Sequence, residues 1–501
     1  MSDRIRMKSL LSKVCTADEA ASLIKDGMVV GISGFTKFGD ARAVPLALVK
    51  RAEAGEKLKI TLMTGASIGS NLDEDLGDHG MISRRLPYMG SAKLRAHINS
   101  GEVMYLDQNL SHTGEYIRSN ALRRPDIAIL DTTFIDEDGG LVCTTSVGNN
   151  ALWAVTADKI IVEINETHSM DMLGLHDIYH PEPRPGRGPI PITHPSDRVG
   201  TPTIKIDPSK IVAIVIHQLP DTPVSLEAAD DETNAIAGNL MDFFKSEVKK
   251  GHMDNTLRPL QSGVGAVANA VFRGFQDSPF HDLTMYTEVA QDAVFDLIDS
   301  GKMTAVSTTS FSVTAPYMKI FDNVKKFHGK IILRPQEISN HPEVARRLGL
   351  ISINTALEAD IYGNVNSTHV CGTKMMNGIG GSADFARNAS YTCFVTKSYA
   401  KKGLLSSIVP MVTHVDHSEH SVDIIATELG LADLRGLAPR ERSRVVIDNC
   451  VHPNFKEMMR DYVKEAEALG GHTPHVLSKA FSWHERFMQT GSMLMPAKEM
   501  A

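Results

Sequence analysis

Glu288 ends the strand-like run Leu283-Thr-Met-Tyr-Thr287 and just precedes the helical pattern Gln291-Asp-Ala-Val-Phe-Asp-Leu-Ile298. A carboxylate at that junction complements the helix dipole, which is reason enough for its presence. The same dipole keeps it ionised, as a carboxylate nucleophile must be. Glycine-rich stretches lie on both sides of it in the chain. Gln261-Ser-Gly-Val-Gly-Ala-Val-Ala268 contains G-x-G-x-x-A, and Glu288 follows Gly263 by 25 positions. Taken mechanically this is a dinucleotide fingerprint with its ribose-binding acid. That requires a strand running into the first glycine, whereas Asp254-Asn-Thr-Leu-Arg-Pro-Leu-Gln261 carries a proline there. The loop reads instead as a tight turn, or as open amides before a helix beginning near Val267, suited to an oxyanion or phosphate. In Met376-Asn-Gly-Ile-Gly-Gly-Ser-Ala-Asp384, Gly378, Gly380 and Gly381 again open the backbone to a ligand. Together the loops outline two sides of an anion-binding pocket.

Thr413-His-Val-Asp-His-Ser-Glu-His420 places His414, His417 and His420 at i, i+3 and i+6, with Asp416 and Glu419 between them. Helical spacing would put two of these ligands on one face. The run is not HExxH, no cysteine is near, and Ile408-Val-Pro-Met-Val412 reads as a strand entering a loop. A hydrogen-bonded polar loop lining a cleft is the favoured reading, and no metal is expected.

These residues need elements to hold them. Short β-branched runs alternate with helical segments: Ile127–Leu130, Lys159–Val162, Ile331–Leu333 and Leu350–Ile353 are strands, and Asn234 to Lys250 is a helix. The alternation predicts an α/β architecture of sheets covered by helices. The two halves repeat one another. Val44 maps to Val267, Ile60–Thr64 to Leu283–Thr287, and Gly140, Val142 and Thr145 to Gly363, Val365 and Thr368, all at an offset of 223. Identity is low, four of 19 positions between 127–145 and 350–368, yet the offset stays free of gaps over about a hundred residues. The expected fold is therefore two related open α/β domains, 1–225 and 226–501, with the acidic run Leu226–Thr233 at the boundary. If they face one another about a twofold, Thr64-Gly-Ala-Ser67 meets Thr287-Glu-Val-Ala290, and only the second carries a carboxylate, Glu288 opposite Gly65. Residues 176–202 hold seven of the 23 prolines. They read as a long ordered loop that could serve as an inter-subunit arm, or as a mobile surface loop.

The 501 residues exceed one ordinary core. A net charge of −8, pI ≈ 6.2 and no basic tail argue against nucleic acid as the main partner. Five cysteines with no CxxC pair fit a reducing compartment. The charged start shows no signal peptide, and the longest apolar run, Ile211–Ile216, cannot span a bilayer. A cytoplasmic protein without membrane association is expected.

Gln261-Ser-Gly-Val-Gly, Tyr286-Thr-Glu288, Arg334-Pro-Gln-Glu-Ile-Ser-Asn340, Asp360-Ile-Tyr-Gly-Asn-Val-Asn-Ser-Thr-His369, Met376-Asn-Gly-Ile-Gly-Gly381, His414-Val-Asp-His417, Thr427-Glu428 and Asp433-Leu-Arg-Gly436 together resemble the acetyl-CoA hydrolase/transferase family, a class I coenzyme A transferase group. The resemblance covers essentially the whole chain. It implies an active site between two α/β domains, with Glu288 as nucleophile and the backbone amides of Val264 and Gly381 as oxyanion donors. Asn340, Glu428 and Ser67 match supporting polar residues. Gly263, Val264, Gly265, Ala266, Val267, Leu357, Asn377, Gly381 and Lys401 match positions that contact coenzyme A. The implied activity moves CoA from succinyl-CoA to acetate through an acyl-glutamyl anhydride and a glutamyl-CoA thioester. The CoA thioester is then a substrate, no cofactor is permanently bound, and a homodimer is plausible by resemblance. Acetyl-CoA hydrolysis or propionyl-CoA:succinate transfer would use the same site. Some acetate-using members have an arginine after the Pro-Asp that here is Pro220-Asp221; this chain has Thr222, which leaves the acceptor open. More distant readings are a nicotinamide oxidoreductase built on Gly263–Ala268 and a non-catalytic CoA-binding regulator, against which the glutamate at 288 argues.

Overall fold

The computed structural model describes residues 3–495. The first sheet contains β1 Val29–Ile32, β2 Ile60–Met63, β3 Ile82–Leu86, β4 Met104–Tyr105, β5 Ile127–Ile135, β6 Leu141–Cys143, β7 Lys159–Asn165 and β8 Ile211–His217. Its order is β4-β3-β2-β1-β5-β7-β8, all parallel, with β6 antiparallel against β5. The second contains β9 Leu260–Ser262, β10 Leu283–Tyr286, β11 Met303–Thr308, β12 Ile331–Leu333, β13 Ile351–Thr355, β14 Tyr391–Val395, β15 Ile424–Thr427 and β16 Gly430–Asp433. It runs β12-β11-β10-β9-β13-β14-β15-β16, parallel except for β16. Near-continuous burial of β-branched residues along β1, β5 and β7 fits parallel strands covered on both faces.

The seven parallel strands follow the same order in both sheets, with β6 added beside β5 in the first and β16 at the edge of the second, so the repeat seen in the sequence is a repeat of topology. β2 corresponds to β10 and β5 to β13 near the shared offset; β1 and β9 correspond in the sheets but lie farther apart along the chain. Between the sheets, the acidic run supplies a helix cap. Asp230 accepts from the Thr233 amide at 2.9 Å and Thr233 Oγ1 accepts from the Asp230 amide at 2.8 Å. The helix consequently starts at Asp231, three residues before the expected Asn234, and runs to Lys249.

The halves share one apolar core, with Phe38 of the first against Phe321 of the second at 6.1 Å between ring centroids. Backbone bonds stitch the seam. The Val147 amide donates to the Thr309 carbonyl at 2.8 Å, Gln336 to Gly148 at 2.8 Å, and Val224 to Val313 at 2.9 Å.

Residues 176–202 form a long loop that straps the second half of their own chain. The Asp177 amide bonds the Leu333 carbonyl at 2.9 Å, and Ile190 and Ile192 are buried in a cluster with Tyr286 and Ile338. Arg334, fully buried, pairs with Asp177, donates to the Asp197 carbonyl and reaches Ser307 Oγ at 2.7 Å. Removing one partner of a buried pair strands the other, so Arg334→Ala should cost about 3–5 kcal/mol. Urea unfolding monitored by circular dichroism checks this, and an unchanged midpoint would contradict it.

Candidate active site

Ligands of open α/β sheets collect beyond the carboxyl ends of strands where the strand order reverses. That reversal lies between β1 and β5 in one sheet and between β9 and β13 in the other. A cavity of about 310 Å³ opens where the two reversals face each other. Gly263 and Val264 enter it from the end of β9, and Thr355, Ala356 and Leu357 from the end of β13. Phe35 and Thr36, after β1, close the opposite wall. Ala66 after β2 and Glu288 after β10 reach the same space, so the equivalent strand ends do approach one another. Gly65 itself is packed tight: a Cβ there would meet the Gly34 carbonyl oxygen at 2.7 Å and Gln336 Oε1 at 3.2 Å.

The backbone of Glu288 is clamped to the end of β11. Its carbonyl accepts from the amides of Thr309 (2.9 Å) and Ser310 (3.2 Å) and from Thr308 Oγ1 (2.7 Å). The carboxylate is buried at the cavity, where Asn340 Nδ2 donates to Oε1 at 2.8 Å and the Gly381 amide donates as well. Burial pushes its pKa up to about 7 against these two donors. It is thereby a stronger base than an exposed glutamate while remaining substantially ionised at neutral pH, the combination a carboxylate nucleophile needs. Gly381 must be glycine at this contact, because a Cβ would collide with Glu288 Oε1 and Asn340 Nδ2.

The first glycine loop is held from behind by Gln291, a residue without a signal of its own in the sequence. Gln291 Nε2 donates to the Gly263 carbonyl at 3.1 Å, and Gln291 Oε1 accepts from the Gly265 amide at 3.2 Å. Gly265 lies at φ 135°, where glycine is favoured, and the helix Ala266–Gly274 starts after it, one residue before Val267. The Val264 amide between those two bonds has no hydrogen-bond partner among the described residues.

The second glycine loop is anchored across the seam. The Gly378 amide donates to the Met89 carbonyl at 3.2 Å, and the Leu110 amide donates to Gly380 at 3.3 Å. The Ile379 amide sits 3.0 Å from both oxygens of Asp107, which also accepts from Tyr105 Oη at 3.0 Å. Burial lifts Asp107 to about 6 despite the Ile379 amide. The Tyr88 ring lies against Gly378 and Gly380, and burial, followed by the Glu288 charge, pushes its hydroxyl up to about 12. Tyr88, Tyr105 and Asp107 escaped the sequence reading because nothing around them marks a site; they matter through what docks on them.

Of the remaining expected site residues, Leu357 and Asn377 line the cavity. Asn340 stands one hydrogen bond behind Glu288. Ser67, Lys401 and Glu428 lie off the cavity wall. Ser67 Oγ accepts from the Gly90 amide at 2.7 Å, Glu428 accepts from the Ser398 amide at 2.8 Å, and Lys401 opens the turn Lys401–Gly403. The three histidines do not converge. His414 stacks on His369 with centroids 3.9 Å apart, His417 Nε2 bonds Ser382 Oγ at 3.1 Å, and His420 sits in the turn Glu419–Ser421. Asp416 and His417 border a cleft, as a polar loop would. The strand expected over Ile408–Val412 is only Ile408–Val409.

A compact His–carboxylate group occurs elsewhere, at Asp131, Glu163 and His217. There Glu163 already accepts the amides of Arg42, Ala43 and Val44 at 2.7–2.9 Å. Burial opposes a charged imidazole, yet Asp131 and Glu163 raise His217 to about 10. The two acids thus favour the charged form of the imidazole between them.

Residues 1–216 match the N-terminal domain and residues 317–463 the C-terminal domain of the acetyl-CoA hydrolase/transferase family. Similar proteins include a succinyl-CoA:acetate CoA-transferase of Clostridium kluyveri, 50% identical over 98% of this chain and 92% of that protein. A propanoyl-CoA:succinate CoA transferase of Escherichia coli is 43% identical over 96% and 98%. An acetyl-CoA hydrolase of Saccharomyces cerevisiae is 39% identical over 100% and 98%. Among solved structures, RipA from Yersinia pestis aligns with a TM-score of 0.72 at 22% identity, over 92% of this chain and 99% of that one. A 4-hydroxybutyrate CoA-transferase from Porphyromonas gingivalis aligns at 0.63 and 21%, over 91% and 99%. At those identities the likeness is one of fold.

Proposed function

The chain belongs to the acetyl-CoA hydrolase/transferase family, and from that premise we propose that it is a coenzyme A transferase moving CoA from succinyl-CoA to acetate, with Glu288 as the covalent carrier. The observation that carries this reading is a buried glutamate with two hydrogen-bond donors, set between two glycine loops at the meeting point of two sheets.

Glu288 attacks the thioester carbonyl, and the tetrahedral oxyanion is received by the amides of Val264 and Gly381; such donors each contribute about 10²–10³ in rate. The C–S bond breaks and gives a succinyl-glutamyl anhydride and CoA thiolate. The thiolate then attacks the glutamyl carbonyl, releasing succinate and leaving CoA as a thioester on Glu288. Acetate attacks that thioester, thiolate leaves, and the thiolate returns to the acetyl carbonyl, freeing acetyl-CoA and the Glu288 carboxylate. No proton is gained or lost over the cycle and no permanently bound cofactor is required. Storage of CoA on the protein makes the kinetics ping-pong. Water reaching either acyl-glutamyl species would convert transfer into hydrolysis, so exclusion of solvent decides between the two outcomes.

No helix among the described residues is long and apolar enough to cross a membrane. A cytoplasmic homodimer is the assembly we propose on family resemblance, and cell fractionation with light scattering tests it. The function itself is tested by presenting succinyl-CoA with acetate, propionate or water as acceptor and following acyl-CoA exchange. Acetate is expected to give the highest kcat/KM. Faster loss of succinyl-CoA to water than to any carboxylate would make the protein a hydrolase, and a preference for propionate would move the assignment to the other carboxylate pair.

A further inference from the structure

Gln291 is 3% exposed and stands three residues after Glu288. Its backbone is fixed on both sides. Before it, the short strand Val289–Ala290 pairs in parallel with Ser310–Phe311, and the Ser312 amide donates to the Ala290 carbonyl at 3.0 Å. After it, the helix Asp292–Asp299 begins, with Gln291 at its cap and the Val294 amide donating to the Gln291 carbonyl at 2.9 Å. Asn269 Oδ1, from the helix that follows the first glycine loop, accepts from the Ala293 amide at 3.1 Å and ties that helix to the same place. The nucleophile and the side chain behind the loop thus share one rigid frame.

The two bonds that Gln291 makes fall on either side of Val264. A trans peptide unit is planar, and its carbonyl and N–H point in opposite directions. The Gly263 carbonyl and the Val264 N–H are two edges of one such unit. With the carbonyl bonded to Gln291 Nε2 at 3.1 Å, the Val264 N–H is aimed away from Gln291. The Gly265 N–H belongs to the next unit, and its bond to Gln291 Oε1 at 3.2 Å fixes that plane as well. One side-chain amide therefore sets both planes that meet at Val264. Gly263 and Val264 line the cavity with Glu288, whereas Gln291 stands outside its wall. A hydrogen bond accepted by the carbonyl also polarises the unit and strengthens its N–H as a donor.

We propose that Gln291 is a positioning residue for the oxyanion site: it aims and polarises the Val264 amide toward the charge that develops on the thioester oxygen, and takes no part in holding the CoA moiety. The proposal rests on Glu288 being the nucleophile and on Val264 serving its tetrahedral intermediates. A donor of this kind acts as the charge develops, so its loss belongs to rate and not to affinity. A side chain that merely filled space behind the loop would need neither hydrogen bond.

The test is Gln291→Met, which keeps the length and bulk of the side chain and removes both bonds. In transfer from succinyl-CoA to acetate, kcat and kcat/KM should fall together by at least about tenfold, and by no more than the about 10²–10³ of a lost oxyanion donor. The Kd of free CoA, measured by titration calorimetry, should stay within about threefold of wild type, because CoA carries no carbonyl to be polarised. Gln291→Asn, one methylene shorter, cannot span both bonds from the same backbone. It should show the same split, and serves if Gln291→Met fails to fold. A folded variant whose kcat stays within about threefold of wild type, or whose CoA affinity falls as far as its rate, overturns the proposal. Acyl-CoA-dependent hydroxylamine labelling separates this from the larger reading. Label on Glu288 in the wild type with an unmoved rate in the variant sinks the role of Gln291 alone, whereas no label on Glu288 in the wild type sinks the covalent mechanism and this proposal with it.

Discussion

Glu288→Ala is expected to lower CoA transfer by at least about 10⁵-fold, the low end of the effective molarity that a held reactant supplies. The carboxylate has no neighbour able to substitute. Asn340 and the Gly381 amide can only donate hydrogen bonds to it, and Asp384 is turned to Ser111. Stability should change little or improve, since the substitution removes a buried acid whose charge is disfavoured by desolvation. Loss of turnover can then be read as loss of chemistry. Two measurements check it together: transfer from succinyl-CoA to acetate, and borohydride or hydroxylamine trapping in the presence of acyl-CoA. A variant that still turns over near the wild-type rate would show that another group carries the acyl intermediate.

Gly381→Ala should be nearly as damaging for a different reason. The backbone of Gly381, at φ −96° and ψ 3°, is open to any residue, so alanine strains nothing locally. Its methyl group, however, would occupy space now held by Glu288 Oε1 and Asn340 Nδ2. The nucleophile must turn aside or the loop must withdraw its amide. Either movement misplaces one oxyanion donor and should cost about 10²–10³ in kcat, with further loss from the displaced carboxylate. The thermal unfolding midpoint should stay within a few degrees of wild type. A variant with kcat within threefold of wild type would show that the amide at 381 has no part in the chemistry.

The halves of the fold were legible because strand periodicity and a constant offset both survive weak identity. β2 and β10 were recognised at once, and β5 and β13 nearly so. β5 continues beyond the apolar run Ile127–Leu130 to Ile135, carrying the polar Asp131-Thr-Thr133 inside the strand. In the fold those residues are buried, with Asp131 taking a hydrogen bond from Thr144 at 2.7 Å. β1 and β9 escaped the offset because the chain between them and their partners differs in length. At the site, Glu288 and the glycine loops were visible because each is local, a residue type at a strand end or before a helix. Ser111 and Asp107 could not be found this way, because their importance comes from residues more than two hundred and fifty positions away. Asp384 lay within the motif that drew attention to Gly381, but its burial against Ser111 is a property of docking, and no spacing rule reports it.

The tight packing around Gly65 bears on how the duplication can ever be undone. The position of the first lobe that is equivalent to Glu288 is packed against a main-chain oxygen of Gly34, so a glutamate cannot be placed there without a shift of the backbone. With Glu288 as the proposed carrier, mass spectrometry of the trapped protein should find a single CoA adduct per polypeptide rather than a pair.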